Sequence, residues 1–458
     1  MIPLTIAVAV VAVALALWAK PPVALGILIC SLMLYPEYLR VPVGPVKMSV
    51  PRFVAVALLF RLAYGASSRG FRWNFIDGLV CFEWVWMVTA NILAGADSAR
   101  MSELVGRVFD SVFMYFVARF CVVRAADYYK LVWPLLLCAV ISGSLGFIES
   151  VTHRSPYEVL RGYSLIGVTG WDFMGGGGEG DSNARFGLRR AEGATSTCLY
   201  FGMAMLLIMG MLQSVSGFTR KKWLMRIGWI AAFLGVISSM SSGPQSALVT
   251  FMGCSIFYFV PKLIKPAIVG GVALAIFCEA ASNRHFWYLI EYLNPLGGDY
   301  WYRCQLITVT ISQWRDYWLI GVGSDFPQYW GQLIDGRIFV DLANEYVIVA
   351  TTSGFLGLAC RLGIQGLAIR ETVRVYRNGD EKMRRLAFAQ ASTLIALVVG
   401  SVSIGSFGAV LILSSLLLGM MVGRPGDAQR LRQMTPVRTH KNQHRKAPAL
   451  ASTGAPQS

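Results

Sequence analysis

Charged residues are scarce in this sequence of 458 residues: Asp, Glu, Lys and Arg together make up 14% of it, whereas 55% is hydrophobic. A soluble protein of this length contains about a quarter charged residues, so the deficit argues against a soluble domain. The hydrophobic residues form runs of about 17–25 along most of the chain, which is typical of a helical protein with many membrane-spanning segments. Repeated short segments with strand-like alternation are missing, which argues against a β-barrel.

Histidine is rare, with four residues, and the nine cysteines do not cluster with it. Most of the cysteines lie inside apolar runs, and only Cys304 falls in a long polar loop. Such scattered cysteines predict no disulfide framework. Without a Cys/His cluster, no zinc or haem site is expected either. We therefore expect neither a metal nor a cofactor.

The first apolar run, residues 2–19, has no Lys or Arg before it, and the first positive charge is Lys20. A secretory signal peptide would carry a basic segment ahead of its apolar core. The run is therefore interpreted as a retained helix. Alternatively, it is half of a helical hairpin with the next run, because Pro21 and Pro22 separate the two.

The apolar runs predict an all-α fold, a polytopic membrane bundle of about 12–13 transmembrane helices with two long outer, periplasmic loops. The runs lie at 2–19, 22–35, 50–66, 75–95, 104–123, 129–149, 192–216, 224–242, 244–260, 266–282, 342–369, 386–404 and 407–423. The predicted regions are N-terminal helices (1–149), a first outer loop (150–191), central helices (192–282), a large outer loop (283–341), C-terminal helices (342–423) and a basic, disordered cytoplasmic tail (424–458).

The net charge of +16 comes mainly from the short loops and the tail. Positive residues gather at Lys20, Arg61, Arg69, Arg72, Arg124, Lys130, Arg220, Lys221, Lys222, Arg226, Lys262, Lys265 and between Arg370 and Arg385. The tail holds seven Lys/Arg and one Asp, a net charge of 7 − 1 = +6. This distribution follows the positive-inside rule and predicts that these loops are cytoplasmic. Membrane lipids, and not nucleic acid, are therefore the expected partner of the basic residues.

Each long loop contains one conspicuous segment. MGGGGEGDSN, residues 174–183, invites comparison with a phosphate-binding loop, but no Gly-Lys-Ser/Thr follows it. A flexible linker is the better interpretation. In the second loop, aromatic and apolar residues recur at helical spacing and predict a helix along the outer membrane surface: Trp301, Leu306, Thr310, Trp314 and Trp318.

Three segments resemble the O-antigen ligase and Wzy-type polysaccharide polymerase superfamily. RRAEGATSTCLYFGM, residues 189–203, is similar to the family's Arg-x-x-Gly entry into a helix after an outer loop. A second pattern, an Arg followed by GVGxxxF, is matched by Arg303, Gly321, Gly323 and Phe326. The order and spacing of the segments carry the resemblance, which covers about residues 185–360.

The third segment, NEYVIVATTSGFLGL (residues 344–358), is similar to the family's His-Asn-x-Tyr…Gly-x-x-Gly motif, with Gly354 and Gly357 in place. Here Ala343 replaces the histidine, and the sequence has no histidine between His285 and His440. This departure favours a polymerase over a ligase within the family. SMSSGPQSAL, residues 239–248, is faintly similar to a Ser-Arg-Ser/Gly segment of the family, with its Arg missing.

The resemblance implies inverting glycosyl transfer from an undecaprenyl-pyrophosphate carrier to an acceptor glycan at the outer face of the plasma membrane, without a metal or a nucleotide sugar. The departing pyrophosphate needs fixed positive charge, and arginine pairs phosphate oxygens with two parallel hydrogen bonds. Arg190 and Arg303 are the predicted contacts, and Arg185, Arg189 and Arg284 are supporting candidates.

The acceptor hydroxyl needs a group that takes its proton. Because the motif's histidine is missing, Glu345 and Asp341 are the predicted substitutes. Alternatively, these acids only stabilise the start of a helix, where the dipole favours carboxylates. Asn344, Gly321 and Gly323 are predicted to bind the substrate. Gly354 and Gly357 are expected to let membrane helices approach closely.

The predicted function is polymerisation of lipid-linked oligosaccharide repeat units into exopolysaccharide or O-antigen at the bacterial inner membrane. A ligase that transfers finished glycan is the alternative within the family. A transporter of polysaccharide or lipid carrier is another, although such proteins usually show internal repeats and acids at the membrane midplane. A scaffold of an export machine is a further alternative. A chain-length regulator or an export complex would be an additional partner of the polymerase.

Overall fold

The computed structural model describes residues 2–44, 46–64, 71–161, 184–292, 300–322, 330–334, 336, 340 and 342–423. Six features singled out in the sequence lie outside the described residues: Arg69, Asp341, Gly323, Phe326, the glycine-rich segment 174–183 and the tail 424–458. What was predicted for them stays a prediction.

Every apolar run of the sequence contains a helix, which confirms the all-α bundle. The helices are α1 (Ile2–Trp18), α2 (Pro21–Leu34), α3 (Val50–Tyr64), α4 (Phe75–Leu93), α5 (Ser98–Val108), α6 (Met114–Cys121), α7 (Asp127–Thr152), α8 (Glu158–Arg161), α9 (Cys198–Val215), α10 (Lys222–Ser238), α11 (Ser242–Phe259), α12 (Ile264–Ala281), α13 (Leu289–Tyr292), α14 (Tyr300–Ser312), α15 (Trp314–Tyr317), α16 (Trp330–Leu333), α17 (Glu345–Asn378), α18 (Glu381–Gly400) and α19 (Gly408–Val422). A π-helical turn, Phe109–Phe113, joins α5 to α6.

Two short β-hairpins accompany the helices. Strands β1 (Val41–Val43) and β2 (Val46–Met48) pair antiparallel, with Val41 opposite Met48. Strands β3 (Ala184–Arg185) and β4 (Leu188–Arg189) pair in the same way, with Ala184 opposite Arg189. Each hairpin leads the chain into the bundle from a connection between helices, so the strands do not alter the helical architecture.

Six helical segments in the described part of the chain are long and apolar enough to cross a membrane: Phe75–Leu93, Asp127–Thr152, Cys198–Phe218, Pro261–Ala281, Glu345–Asn378 and Glu381–Gly400. Helices α1, α2 and α19 are also apolar but shorter. Because a helix satisfies its backbone hydrogen bonds internally, such segments suit a hydrocarbon environment. They indicate a membrane protein.

Helix α9 lies at the centre of the bundle and packs against α7, α10, α11, α18 and α19. A Cβ added at Gly210 would lie 2.1 Å from the Thr393 side chain, which shows how closely α9 and α18 approach. Helix α12, in contrast, lies at the outside of the bundle. None of its residues is buried, and among the described residues it packs mainly against the short turns at its two ends.

Helix α17 was predicted as one continuous helix, but it is broken at Gly354, whose φ of 68° and ψ of −171° are not helical. Arg361 Nη1 nevertheless lies 3.3 Å from Glu345 Oε1. A straight helix would separate these residues by about 24 Å along its axis, because each residue adds about 1.5 Å. The Tyr346 hydroxyl also reaches Gln365 Oε1 at 3.3 Å. The chain therefore reverses at Gly354, and residues 345–353 fold back beside the second half of α17.

The reversal depends on the close approach of two backbone segments, 318–322 and 351–355, each of which contains one glycine with a positive φ. Gly321 has a φ of 80°, and a Cβ there would lie 2.5 Å from the Thr351 carbonyl oxygen. A Cβ at Gly354 would lie 2.3 Å from the Leu319 carbonyl oxygen. The Val322 N–H donates to the Thr351 carbonyl at 2.7 Å, and the Phe355 N–H donates to the Trp318 carbonyl at 2.8 Å. The segment 318–322 thus satisfies backbone groups that the helix break exposes.

The connections between helices collect at two faces of the bundle. One, the loop face, holds the chain between α7 and α9, α10 and α11, α12 and α17, and α18 and α19. Contacts such as that of the Ala191 N–H with the Ser238 carbonyl join these connections. The other, the basic face, carries residues such as Lys20, Arg124 and Lys221. Which face is cytoplasmic stays a prediction.

Candidate functional site

Glu345 begins the half-helix that folds back, and its side chain is buried in the bundle. The residue is 5% exposed. Its Oε2 accepts a hydrogen bond from the Ser406 N–H at 2.6 Å, and its own N–H donates to the Ser401 carbonyl. Asn344 caps the half-helix, because its Oδ1 accepts from the N–H groups of Tyr346 and Val347. The amide oxygen of Asn344, a predicted substrate-binding residue, is therefore occupied by the cap.

Glu345 belongs to a buried cluster of charges that the sequence analysis missed. The Arg361 guanidinium lies between two carboxylates, with Nε 2.5 Å from Glu83 Oε1 and Nη1 3.3 Å from Glu345 Oε1. Glu83 comes from the middle of α4, and Arg361 from the second half of α17. A lone charged residue inside an apolar run is the sequence signal for such a cluster, and both runs carried one.

The loop between α18 and α19, residues 401–407, joins Glu345 to Arg303. The Arg303 guanidinium donates to the Ser403 carbonyl and lies 5.4 Å from the centre of the Tyr300 ring. Three residues further on, the Ser406 N–H holds Glu345. Buried irregular backbone at this depth is tolerated where protein or a polar cavity surrounds it. One loop thus brings together two side chains that the sequence separates by 42 positions, 345 − 303.

The segment with faint family similarity, residues 239–248, lies against the same loop. The Tyr300 hydroxyl lies 3.3 Å from the Ser242 carbonyl and 3.1 Å from Ser246 Oγ. A Cβ at Gly243 would lie 2.9 Å from Ile404 Cδ1. Arg185 donates to the Met240 carbonyl at 3.4 Å. We call residues 239–246, 300–303, 344–345 and 401–407 the polar floor.

Arg190 lies beside the polar floor and has no partner among the described residues. The residue is half-buried, and its Nε atom is buried without a hydrogen bond. Its neighbour Ala191 donates its N–H to the Ser238 carbonyl, one residue before the segment that contacts Tyr300. An unpaired, partly buried guanidinium is costly, and an anionic ligand would offset that cost.

Arg189 differs from Arg190, because the structure pairs it with protein groups. Its Nη1 donates to the His153 carbonyl at 2.9 Å, and its Nε lies 3.8 Å from Glu149 Oε1. Glu149 also accepts a hydrogen bond from the Gly193 N–H. The geometry therefore gives Arg189 a role in fixing the segment that carries Arg190.

Arg284 lies apart from the polar floor. It is exposed, pairs with Glu291 at 3.7 Å and lies over the Tyr288 ring at 5.8 Å. It follows α12, the helix without buried residues. Among the described residues, no contact joins Arg284 to Arg303 or Arg190, so the structure does not bring this candidate together with the others.

Gly321, predicted to bind substrate, contacts protein backbone in the structure. A Cβ there would lie 2.5 Å from the Thr351 carbonyl oxygen and 2.9 Å from the Ser353 nitrogen. Gly357 packs similarly, with Ser353 Oγ 1.9 Å from an added Cβ. These contacts leave no room for a side chain at either position, and both lie at the helix reversal. Gly321 therefore has a packing role.

Glu37 is a second buried carboxylate that sequence reasoning missed. Its Oε1 accepts from the Ser196 N–H at 2.8 Å, and its Oε2 accepts from the Ala409 N–H at 3.2 Å. Both amides lie at the N-terminal ends of helices, α9 and α19, whose dipoles favour negative charge. The residue fixes the two helix ends that border the polar floor. No motif in the sequence indicates it, because its partners are backbone groups.

A cluster of charges on α5 borders the loop 401–407. Glu103 lies 2.9 Å from Arg100 and 2.7 Å from Arg107, and the Arg107 guanidinium lies 4.3 Å from the centre of the Phe407 ring. Burial acts to raise the pKa of Glu103, but the charges of Arg107 and Arg100 outweigh it, so that the pKa lies below its ordinary value. The carboxylate is ionised at neutral pH.

The predicted surface helix is divided into α14 and α15 at Gln313, and its side chains do not form one exposed stripe. Leu306 and Thr310 are buried, whereas Trp301, Trp314 and Trp318 are exposed. Cys304, expected in a polar loop, is also buried, with Sγ 3.6 Å from the Trp287 carbonyl. The correction has a simple cause: α14 packs one face against the bundle, and that face includes Cys304.

The fold and the polar floor define a helical membrane protein with a buried carboxylate–arginine cluster and an unpaired arginine at one face. Chemically, the floor can bind an anionic group through arginine and orient a hydroxyl at a carboxylate. No known protein family and no curated protein matches the sequence.

Proposed function

We propose that the protein polymerises undecaprenyl-pyrophosphate-linked oligosaccharide repeat units at the outer face of the bacterial inner membrane. The observation that carries the proposal is the loop 401–407, which contacts both the Arg303 guanidinium and the Glu345 carboxylate. In this proposal, the loop face is the outer face.

The reaction is an inverting glycosyl transfer. The acceptor hydroxyl oxygen attacks the anomeric carbon of the donor sugar from the side opposite the pyrophosphate. The new carbon–oxygen bond forms as the bond to the pyrophosphate breaks, and its electron pair leaves with undecaprenyl pyrophosphate. Glu345 takes the proton of the hydroxyl and later releases it to water. Atoms and charge balance without a metal or an oxidant.

Two arginines serve the leaving group in this proposal. Arg190 is suited to bind pyrophosphate, because the residue is half-buried and its guanidinium has no partner among the described residues. Arg303 contacts the polar floor through the Ser403 carbonyl. A planar guanidinium is suited to pair with phosphate oxygens through two parallel hydrogen bonds.

Glu345 serves the acceptor. The Arg361 guanidinium and the Ser406 N–H both contact its carboxylate and hold it in place. A carboxylate accepts about four hydrogen bonds, so these two contacts leave room for a hydroxyl. The competing explanation is a purely structural acid at the start of a half-helix.

The decisive experiment compares arginine variants in membrane vesicles supplied with lipid-linked repeat units. Arg190→Ala and Arg303→Ala are each expected to lower polymer formation at least about tenfold at equal protein level, because each removes charge from the leaving group. Arg154→Ala is the control, since Arg154 is exposed on the same face. Polymer at the wild-type level in both variants would contradict the proposed function.

A transporter is the second candidate, and the broken helix α17 favours it. Membrane transporters often use discontinuous helices whose half-helix ends line the binding site. Reconstituted vesicles separate the two functions, because a polymerase lengthens the glycan on its carrier, whereas a transporter moves it across the bilayer without a change in length.

A further inference from the structure

The cluster of Glu83, Arg361 and Glu345 differs from two other buried ion pairs in the described part of the chain. Arg52 pairs with Asp110, and Arg119 pairs with Asp77, one carboxylate for each guanidinium. Arg361 instead lies between two carboxylates. The cluster therefore places two carboxylates around one guanidinium in a buried position, an arrangement that stability alone does not require.

The position of Arg361 is determined by the reversal at Gly354 and by hydrogen bonds from side chains of α4. Asn91 Nδ2 donates to the Thr352 carbonyl at 3.0 Å, and Trp86 Nε1 donates to the Ser353 carbonyl at 2.8 Å. Asn91 and Trp86 thus fix the end of the first half of α17, just before Gly354. Glu83, on the same helix α4, holds the second half through Arg361. Helix α4 thus fixes both halves relative to each other.

Few other charged or titratable groups face Glu345. Tyr346 follows it, and its hydroxyl contacts Gln365 Oε1 and the Val398 carbonyl. From the loop 401–407, the Ser406 N–H and the Ser401 carbonyl contact Glu345. Among the described residues, Arg361 is the cation paired with Glu345.

We infer that Glu83 and Arg361 are positioning residues of the proposed reaction: Glu83 orients Arg361, and Arg361 directs the Glu345 carboxylate toward the acceptor hydroxyl. The inference rests on the proposed function, because it gives Glu345 the role of proton acceptor. It predicts that changes at Glu83, which contacts no residue of the polar floor other than through Arg361, reduce turnover and not donor binding.

The test measures kcat and donor KM of purified protein in vesicles, together with the thermal unfolding of each variant. Glu83→Met removes the carboxylate that orients Arg361 and is expected to lower kcat about tenfold, with donor KM changed less than about twofold. Glu83→Gln keeps an oxygen that accepts from Arg361 Nε and is expected to restore at least about half of the lost turnover.

The matched control is Asp110→Leu, which removes the carboxylate of the Arg52 pair and is expected to lower thermal stability without lowering kcat per folded molecule. If Glu83→Met keeps the wild-type kcat, or if Asp110→Leu loses turnover to the same degree, the inference is wrong and the cluster is structural. Failure of the proposed function is distinct: the wild-type protein would then form no polymer, or Glu345→Gln would polymerise normally.

Discussion

At the scale of single residues, Gly354 is the position that most strictly requires glycine. Its backbone conformation lies in a region that is essentially restricted to glycine, and an added Cβ would lie 2.3 Å from the Leu319 carbonyl oxygen. Gly354→Ala is therefore expected to destabilise the protein by about 3 kcal/mol or more. Thermal unfolding in detergent measures the effect.

Gly366 provides the control for that variant. It lies in the continuous second half of α17, and nothing lies within 4 Å of an added Cβ. Gly366→Ala is expected to stabilise the helix by roughly 0.5–1 kcal/mol, because alanine loses less conformational entropy on folding than glycine. Equal stability of the two variants would contradict the reversal at Gly354.

The two proposed pyrophosphate ligands can be tested by a conservative change. Arg190→Lys and Arg303→Lys keep the charge but replace the planar guanidinium, which binds two phosphate oxygens at once, by a single ammonium. We expect both to lower kcat at least about tenfold with the protein level unchanged. Polymerisation assays in vesicles measure the change, and full activity of both variants would exclude a paired contact with phosphate.

At the scale of elements, the positions of the helices could be predicted from the sequence, but the path of α17 could not. Apolar runs identify helices because each must satisfy its backbone locally. The reversal depends instead on contacts with residues 318–322 and with α4, which are distant in sequence. Gly354 and Gly357 also fit ordinary close packing of helices, so the pattern alone does not distinguish a break from a contact.

The reversal can be tested by cross-linking two introduced cysteines in a background without the native ones. Tyr346→Cys and Gln365→Cys are expected to react with one bifunctional maleimide of about 10 Å, although a straight helix would place them about 28 Å apart. Leu356→Cys and Val375→Cys are the control pair, with the same spacing in sequence inside the continuous second half of α17. Cross-linking of the control pair alone would contradict the structure.

The site shows the same limit of prediction. Arg303 and Glu345 were singled out by motif, and the structure brings both to the loop 401–407. Glu83, Arg361 and Glu37 were missed. The first two are lone charges within apolar runs, a signal that can be found in the sequence, whereas Glu37 is recognised only by the backbone amides that it accepts from.

At the scale of the whole molecule, the orientation of the bundle is the main prediction. The positive-inside rule places the basic face in the cytoplasm. Cysteines introduced as Ser282→Cys on the loop face and Lys221→Cys on the basic face are both exposed. A membrane-impermeant maleimide added outside should label only the first, and labelling of the second alone would reverse the orientation.

Native Cys304 is unsuitable for that measurement. The residue is buried, and burial, helped by the charge of Glu291, raises the pKa of its thiol to about 11. Because the thiolate is the reactive form, we expect labelling of Cys304 at neutral pH to be slow from either side of the membrane. Rapid labelling of Cys304 in the native protein would show that α14 does not pack as described.

The length of the glycan on its lipid carrier tests the central claim most directly. It would be measured by mass spectrometry of lipid-linked glycans from cells that lack the protein and from the same cells supplied with wild-type or Glu345→Gln protein. The proposed polymerase predicts single repeat units on the carrier in cells without the protein and with Glu345→Gln, and long polymer only with the wild type. Long polymer on the carrier in cells without the protein would contradict the account and indicate a ligase or a transporter.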